Sequence, residues 1–159
     1  MLNKGDRAPD IESIDQDGNS LSLKNLLESG PVVLYFYPAD FTPICTAQAC
    51  AFRDRADNLS EHRIRILGIS PQGADSHRRF ADSFQLTFPL ISDEKKQIIR
   101  AYGVDGPLGF GVRRATFLVG QDQRIGKRVV SDLFVGSHTD FLASVLKEID
   151  APGSDGRVS

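Results

Sequence analysis

The stretch PVVLYFYPADFTPICTAQACAFRD, residues 31–54, decides the expected architecture of the chain. Its first seven residues are apolar on both faces, which is typical of a central strand covered on two sides. Pro38 ends that strand, because proline cannot donate to a sheet ladder. Thr42 and Pro43 form a favourable N-cap and first-turn pair, and a helical pattern then runs to about Ser60. This unit of strand, loop and helix predicts an α/β domain.

The rest of the chain alternates strand and helix patterns around this unit. Early alternation favours parallel strands with crossover helices, and a late hairpin adds antiparallel strands. We therefore predict a thioredoxin-like α/β fold with a mixed central sheet, helices on both faces and an N-terminal β-hairpin. The predicted elements are a hairpin of 11–15 and 19–23, a helical turn at 23–27, strands at 64–70, 88–91, 115–119 and 124–130, helices at 73–84, 92–102 and 139–149, and a loop at 105–111.

Length and charge limit the classes of protein that fit. The 159 residues suit one domain with one sizeable core, which we expect to span 1–150, followed by a flexible tail at 151–159. The 19 basic and 21 acidic residues give a net charge of −2, which argues against a nucleic-acid or membrane-surface binder. No apolar run approaches the roughly 20 residues that span a bilayer. No signal-peptide pattern is visible either, so we expect a cytoplasmic protein.

The sequence contains only two cysteines, Cys45 and Cys50. Two are too few for a disulfide scaffold or a four-cysteine zinc site. Cys45 falls in the first turn of the predicted helix, where unpaired backbone N–H groups and the positive end of the macrodipole stabilise a nucleophilic thiolate. From position alone, a buried and unreactive cysteine packed as a small hydrophobe is an equally good interpretation.

The spacing of the two cysteines conflicts with a disulfide inside an intact helix. Five residues of α-helix rise about 7.5 Å and leave the Cα atoms roughly 8–9 Å apart. A disulfide needs Cα atoms within about 7 Å, so either the pair never bonds or bonding unwinds the helix. The three histidines, His62, His77 and His138, show no metal-motif spacing to the cysteines. We therefore expect surface or satisfied polar roles for them, with no metal and no cofactor.

The run Pro38-x-x-x-Thr42-x-x-Cys45 resembles the active-site motif of the peroxiredoxins, the cysteine-based peroxidases. Together with the string TAQACAFRD, it is most similar to the peroxiredoxin Q group, also called bacterioferritin comigratory proteins. The resemblance covers essentially the whole chain. It includes the strings GDRAP at 5–9, LGIS at 67–70, FPLISD at 88–93 and RATFL at 114–118.

This resemblance implies a role for each residue of the motif. Cys45 is expected to attack the peroxide and become a sulfenic acid, and Cys50 to resolve it as a Cys45–Cys50 disulfide after local unfolding. Thr42 is expected to offer its hydroxyl to the peroxide and to help cap the helix. Pro38 is expected to shield the thiolate and shape the pocket. Arg114 is expected to keep Cys45 ionised and to hold the peroxide oxygens.

Three further positions bear on this site. Arg114 is preferred to Arg113 because it directly precedes the string ATFL, while Arg113 points to the opposite face of the strand. Gln48 is expected to form hydrogen bonds within the network. Ile44 stands where many relatives carry glycine, so it is expected to stiffen the first helical turn or narrow the pocket.

The resemblance also implies partners: a peroxide substrate and a reductant of the thioredoxin or glutaredoxin type, with the protein a monomer or weak dimer. Two alternatives stay open on the residues alone. One is a thioredoxin-like thiol–disulfide exchanger, against which stand the missing C-x-x-C motif and the presence of Thr42. The other is a peroxide-sensing redox switch that uses helix unwinding as its signal.

Overall fold

A computed structural model describes residues 1–150, and the predicted tail at 151–159 lies outside the described residues. Most elements form where the apolar patterning places them. The elements are β1 (Glu12–Ile14), β2 (Ser20–Ser22), α1 (Leu23–Leu27), β3 (Val32–Phe36), α2 (Pro43–Glu61), β4 (Arg65–Ser70), α3 (Ala74–Phe84), β5 (Leu90–Ser92), α4 (Gln97–Ala101), a 3₁₀ turn (Pro107–Gly109), β6 (Ala115–Val119), β7 (Ile125–Val130) and α5 (Val135–Asp150).

The central sheet has five strands in the order β5-β4-β3-β6-β7. Strand β3 pairs parallel with β4 and antiparallel with β6, so the sheet is mixed. Strands β4 and β5 are parallel, whereas β6 and β7 form the late antiparallel hairpin. Strands β1 and β2 form a separate N-terminal hairpin. The predicted thioredoxin-like fold is therefore confirmed.

The sheet divides the buried residues into two clusters, instead of the single core expected from chain length. Side chains alternate between the faces of β3, so Leu34 and Phe36 enter one cluster while Tyr35 and Tyr37 enter the other. Cys45 belongs to the second cluster. Strand β3 is fully buried on both faces, as its continuous apolar run predicts.

Two helices differ in length from their predicted ranges. Helix α4 begins at Gln97 instead of residue 92, because the Asp93 carboxylate accepts the Ile99 N–H at 2.8 Å and Lys96 adopts a left-handed φ of 58°. The intervening residues therefore form a turn. Helix α5 begins at Val135, earlier than the predicted residue 139. No helix within residues 1–150 is long and apolar enough to cross a membrane.

Candidate active site

The site forms where the buried strand β3 passes into helix α2. The connecting loop holds Pro38, which is half-buried, and Phe41, whose φ of 65° is unusual for a residue with a side chain. Pro43 occupies the first turn of α2, where its missing N–H removes no helical bond. This places Cys45 in that first turn with only 1% of its surface exposed. The loop and the helix start therefore present one buried cysteine at the edge of the core.

Thr42 occupies the N-cap position of α2, but its side chain makes no capping hydrogen bond within the described residues. Its hydroxyl instead donates to the carbonyl of Ala39 at 3.1 Å. The predicted side-chain cap is therefore wrong, because the hydroxyl closes the preceding loop instead of the helix. Thr42 is exposed and lies three residues before Cys45, so its Oγ1 can still accept a hydrogen bond.

Arg114 is the residue just before β6, and its side chain contacts Cys45. Its Nη2 donates to Cys45 Sγ at 3.2 Å and its Nη1 donates to Gln48 Oε1 at 2.7 Å. The side chain is buried, and its Nε and backbone N both donate to Asp132. The sulfur of Cys45 therefore accepts a hydrogen bond from a permanently charged guanidinium. The Nε of Arg113 donates to the Asp132 carboxylate at 2.9 Å, whereas the contact to the sulfur is made by Arg114.

Gln48 lies on the same face of α2 as Cys45, since residues three apart are neighbours on a helix. It is fully buried, and its Oε1 accepts the hydrogen bond from Arg114. Its Nε2 has no hydrogen-bond partner among residues 1–150. The structure thus brings together Cys45, Gln48 and Arg114, as the motif predicts, with Thr42 at the start of the same helix.

Cys50 also lies in α2, which is continuous from Pro43 to Glu61. The two cysteines are not joined by a disulfide, and Cys50 is half-buried while Cys45 is buried. The sulfur of Cys50 lies 3.8 Å from Nη1 of Arg53, and the same nitrogen donates to the Phe84 carbonyl at the end of α3 at 2.6 Å. The two cysteines therefore stay apart in the structure, which is what the geometry of an intact helix predicts. The contact made by Arg53 is not predicted by the sequence pattern.

A buried polar cluster anchors the loop before Thr42, and it too was missed. The Asp40 carboxylate accepts from the Tyr37 hydroxyl at 2.7 Å and from Ser76 Oγ at 2.8 Å, and it lies 2.7 Å from His77 Nδ1. His77 is fully buried on α3. The spacing of His77 and Phe80 on α3 was the available signal, because residues three apart share the helix face that packs on the sheet.

Two of the three histidines take the satisfied polar role, one of the two roles expected from the sequence. His77 and His138 are both fully buried, and each has partners on both ring nitrogens, which fits the satisfied polar alternative. Burial lowers the pKa of His138, whose Nε2 faces the Ser131 carbonyl and whose Nδ1 lies 2.8 Å from Thr116 Oγ1. No group of three or more His, Cys, Asp or Glu side chains within residues 1–150 is arranged to hold a metal ion.

Two buried tyrosines lie on the same side of the sheet as Cys45. Burial raises the pKa of Tyr35 well above its ordinary value, and the charges of Asp40 and Cys45 raise it further. Burial likewise raises the pKa of Tyr37, which also donates to Asp40. Both phenols therefore stay protonated at neutral pH and act only as neutral groups. Gly68 on β4 leaves room for the Tyr35 ring, since a Cβ there would lie 2.9 Å from Cε1 of that ring.

Comparison with known proteins gives a consistent set of similarities. The sequence profile of the AhpC/TSA family matches residues 4–128. The chain is 37% identical over 153 residues to peroxiredoxin Bcp of Escherichia coli K12, covering 92% of this chain and 97% of that protein. It is 45% identical over 107 residues to the chloroplastic peroxiredoxin Q of Populus jackii, covering 67% of this chain and 50% of that protein.

Solved structures agree with these sequence matches. The crystal structure of peroxidoxin BcpB from Mycobacterium tuberculosis superposes with a TM-score of 0.87 at 36% identity, covering 95% of this chain and all of that one. A structure of the bacterioferritin comigratory protein of Xanthomonas campestris, described in connection with alkyl peroxide reduction, superposes with a TM-score of 0.78 at 26% identity. That match covers 86% of this chain and 90% of the other.

Proposed function

Because this chain belongs to the AhpC/TSA family, within the Bcp and peroxiredoxin Q group of peroxiredoxins, and is therefore a thiol peroxidase, we propose that Cys45 is its peroxide-reducing cysteine and Cys50 its resolving cysteine. The substrates are hydrogen peroxide and organic hydroperoxides. The observation that carries this proposal is the contact of 3.2 Å between the buried Arg114 guanidinium and Cys45 Sγ. Of the two cysteines, Cys45 is the one with this buried cation beside it.

In the first step the Cys45 thiolate attacks one peroxide oxygen. A sulfur–oxygen bond forms, the oxygen–oxygen bond breaks, and the leaving oxygen takes a proton to become water or an alcohol. Arg114 stabilises the negative charge that moves from sulfur to the leaving oxygen, which is the kind of charge development that pre-placed donors accelerate most. Thr42 holds the peroxide through its hydroxyl oxygen, and Pro38 excludes bulk water. The product on the protein is the Cys45 sulfenic acid.

In the second step the Cys50 thiolate attacks the Cys45 sulfur. A sulfur–sulfur bond forms, and the sulfenic oxygen leaves as water after taking up a proton. Helix α2 is continuous through both cysteines, so this step requires the first turns to unwind. A dithiol reductant of the thioredoxin or glutaredoxin type then reduces the bridge by thiol–disulfide exchange and restores both thiols.

The test is a pair of serine variants followed by intact-protein mass spectrometry. Cys45→Ser should abolish peroxide consumption, because the nucleophile is gone. Cys50→Ser should still react with one equivalent of peroxide but should accumulate the sulfenic acid, seen as a dimedone adduct. Peroxide turnover unchanged in Cys45→Ser would overturn the assignment.

Two further measurements separate the alternative activities. Reduction of insulin disulfides without peroxide would favour a thiol–disulfide exchanger. Oxidation by one equivalent of peroxide, with no turnover when a dithiol reductant is supplied, would favour a redox switch. We expect neither result, because the arginine contact is made to the sulfur that meets the peroxide.

A further inference from the structure

We propose that His77 and Asp40 are positioning residues for the peroxide-reducing step, and that they act by setting the orientation of the Thr42 hydroxyl through the Ala39 carbonyl. This inference rests on the proposed role of Thr42 as a group that holds the peroxide. It assigns a function to a polar cluster that the mechanism above does not use.

The first link is the Asp40 carboxylate, which is 6% exposed and lies in the loop between Pro38 and Thr42. Its Oδ1 accepts from the Tyr37 hydroxyl, and its Oδ2 accepts from Ser76 Oγ. His77 Nδ1 lies 2.7 Å from the same Oδ2. These three contacts fix the position of the buried carboxylate. Asp40, and with it the loop, is thus held in place by two side chains of α3, Ser76 and His77.

The second link is the ring of His77, whose orientation is fixed at both nitrogens. Its Nε2 lies 3.1 Å from the carbonyl oxygen of Ile91 on β5, and a carbonyl can only accept a hydrogen bond. Its Nδ1 faces the Asp40 carboxylate. His77 therefore ties the loop to the central sheet as well as to α3.

The third link is the backbone between Asp40 and Thr42. Phe41 holds a left-handed φ of 65°, which a residue with a Cβ seldom adopts, and its ring packs edge-on against Phe80 with centroids 5.2 Å apart. Such a conformation persists only where its surroundings impose it. Releasing Asp40 would let this turn relax, and the Ala39 carbonyl directly before Asp40 would move with it.

The last link is the hydroxyl of Thr42. Because its proton is donated to Ala39 O at 3.1 Å, its oxygen is presented to the substrate as an acceptor. A peroxide that donates its O–H to this oxygen is held with a defined direction to the Cys45 sulfur. Loss of the Ala39 contact would free the Thr42 hydroxyl to rotate, and the bound peroxide would no longer have one fixed orientation to the Cys45 sulfur. This slows the attack on the peroxide without affecting the later thiol exchange.

The experiment compares His77→Asn with His77→Gln. The amide nitrogen of Asn lies near the place of Nδ1 and can donate to Asp40, whereas that of Gln lies near the place of Nε2 and can donate only to Ile91. Rapid mixing with hydrogen peroxide, acid quench and intact mass give the rate constant for Cys45 oxidation. We expect His77→Asn to stay within about threefold of wild type and His77→Gln to be slower by about tenfold or more. The KM for the reductant should not change in either variant.

Three other results in the Cys45 oxidation assay would overturn the positioning role of His77 and Asp40. Thr42→Val belongs in the same assay: if it oxidises as fast as wild type, the proposed role of Thr42 fails and this inference falls with it. If Thr42→Val is slow but His77→Gln matches wild type, only the positioning role is overturned. Equal slowing in both His77 variants would indicate packing alone and would also overturn it.

A milder variant covers the case in which the His77 variants do not fold. Ser76→Ala removes one hydroxyl bond to Asp40 at a half-buried position, so the protein should fold. We expect a smaller reduction in the rate of Cys45 oxidation, about threefold, with the reductant KM unchanged. Wild-type oxidation kinetics in Ser76→Ala, with the peroxide step of Thr42→Val impaired, would contradict the proposal.

Discussion

Replacing Ala47 with glycine tests whether the first turns of α2 must unwind before the second cysteine reacts. Ala47 is exposed on the helix between Cys45 and Cys50, so the change removes no buried contact. Glycine destabilises a helix interior by about 1 kcal/mol relative to alanine, which raises the population of the unwound segment about fivefold. We therefore expect disulfide formation to be about fivefold faster in Ala47→Gly.

The need for unwinding follows from the geometry of α2. Five residues turn the helix by roughly 500°, so the two side chains leave the axis about 140° apart. Their burial agrees, because Cys45 is buried and Cys50 is half-buried. With Cα atoms roughly 8–9 Å apart in the helix, a disulfide that needs about 7 Å or less cannot close without breaking helical bonds.

The assay is a single-turnover oxidation with one equivalent of hydrogen peroxide. Samples quenched in acid with an alkylating reagent are separated by intact mass into reduced, sulfenic and disulfide forms. The rate of sulfenic acid formation should equal that of wild type, because Ala47 is exposed and residues two apart on a helix do not face each other. Only the conversion of sulfenic acid into disulfide should accelerate.

Ala56→Gly is the matched control, because it makes the same change in α2 after Cys50. It should lower the free energy of unfolding to at least the same extent while leaving disulfide formation at the wild-type rate. Equal rates of disulfide formation in Ala47→Gly and wild type would refute the reasoning, since resolution would then not depend on unwinding this segment. Acceleration by Ala56→Gly would refute it as well.

Three further outcomes are expected. Arg114→Lys keeps the charge but loses the two-pronged contact to Cys45 and Gln48, so peroxide oxidation should slow by about tenfold to a hundredfold in the same quench assay. Burial lowers the pKa of His138, so the unfolded chain binds its proton first as pH falls below about 6.5. Urea unfolding should then show stability falling from pH 7 to 5.5, with a shallower slope in His138→Gln. Gly68→Ala places a Cβ 2.7 Å from Leu90 Cδ2 and against a buried tyrosine ring, so thermal melting should show a loss of about 1–3 kcal/mol.

The parts of the fold and site that depend on nearby residues were predictable from the sequence. The apolar run of β3 and the Thr42-Pro43 pair mark the end of a strand and the start of a helix. The string ATFL that follows Arg114 distinguishes it from Arg113, and in the structure Arg114 is the one that contacts Cys45. These features depend on local patterns, which a sequence displays directly.

The parts that depend on contacts across the fold were not predictable. Asp40 meets His77 over a separation of 37 residues, and the helical spacing of His77 indicates that it is buried but not that Asp40 is its partner. An N-cap pattern does not show that the Thr42 hydroxyl donates to the Ala39 carbonyl in the loop that contains the left-handed Phe41. Helix α4 starts late because the Asp93 side chain replaces a helical acceptor for Ile99.

The division of the aromatic residues by the central sheet provides a built-in optical signal. The sequence has no tryptophan and three tyrosines. Tyr35 and Tyr37 stack with centroids 5.2 Å apart in the cluster that contains Cys45, whereas Tyr102 lies in the cluster across the sheet. We therefore expect the Tyr35–Tyr37 pair to contribute a near-ultraviolet circular dichroism signal from the cluster that contains Cys45. We expect unwinding of α2 to change this circular dichroism signal in the unlabelled protein. The contribution of Tyr102, across the sheet, should stay constant.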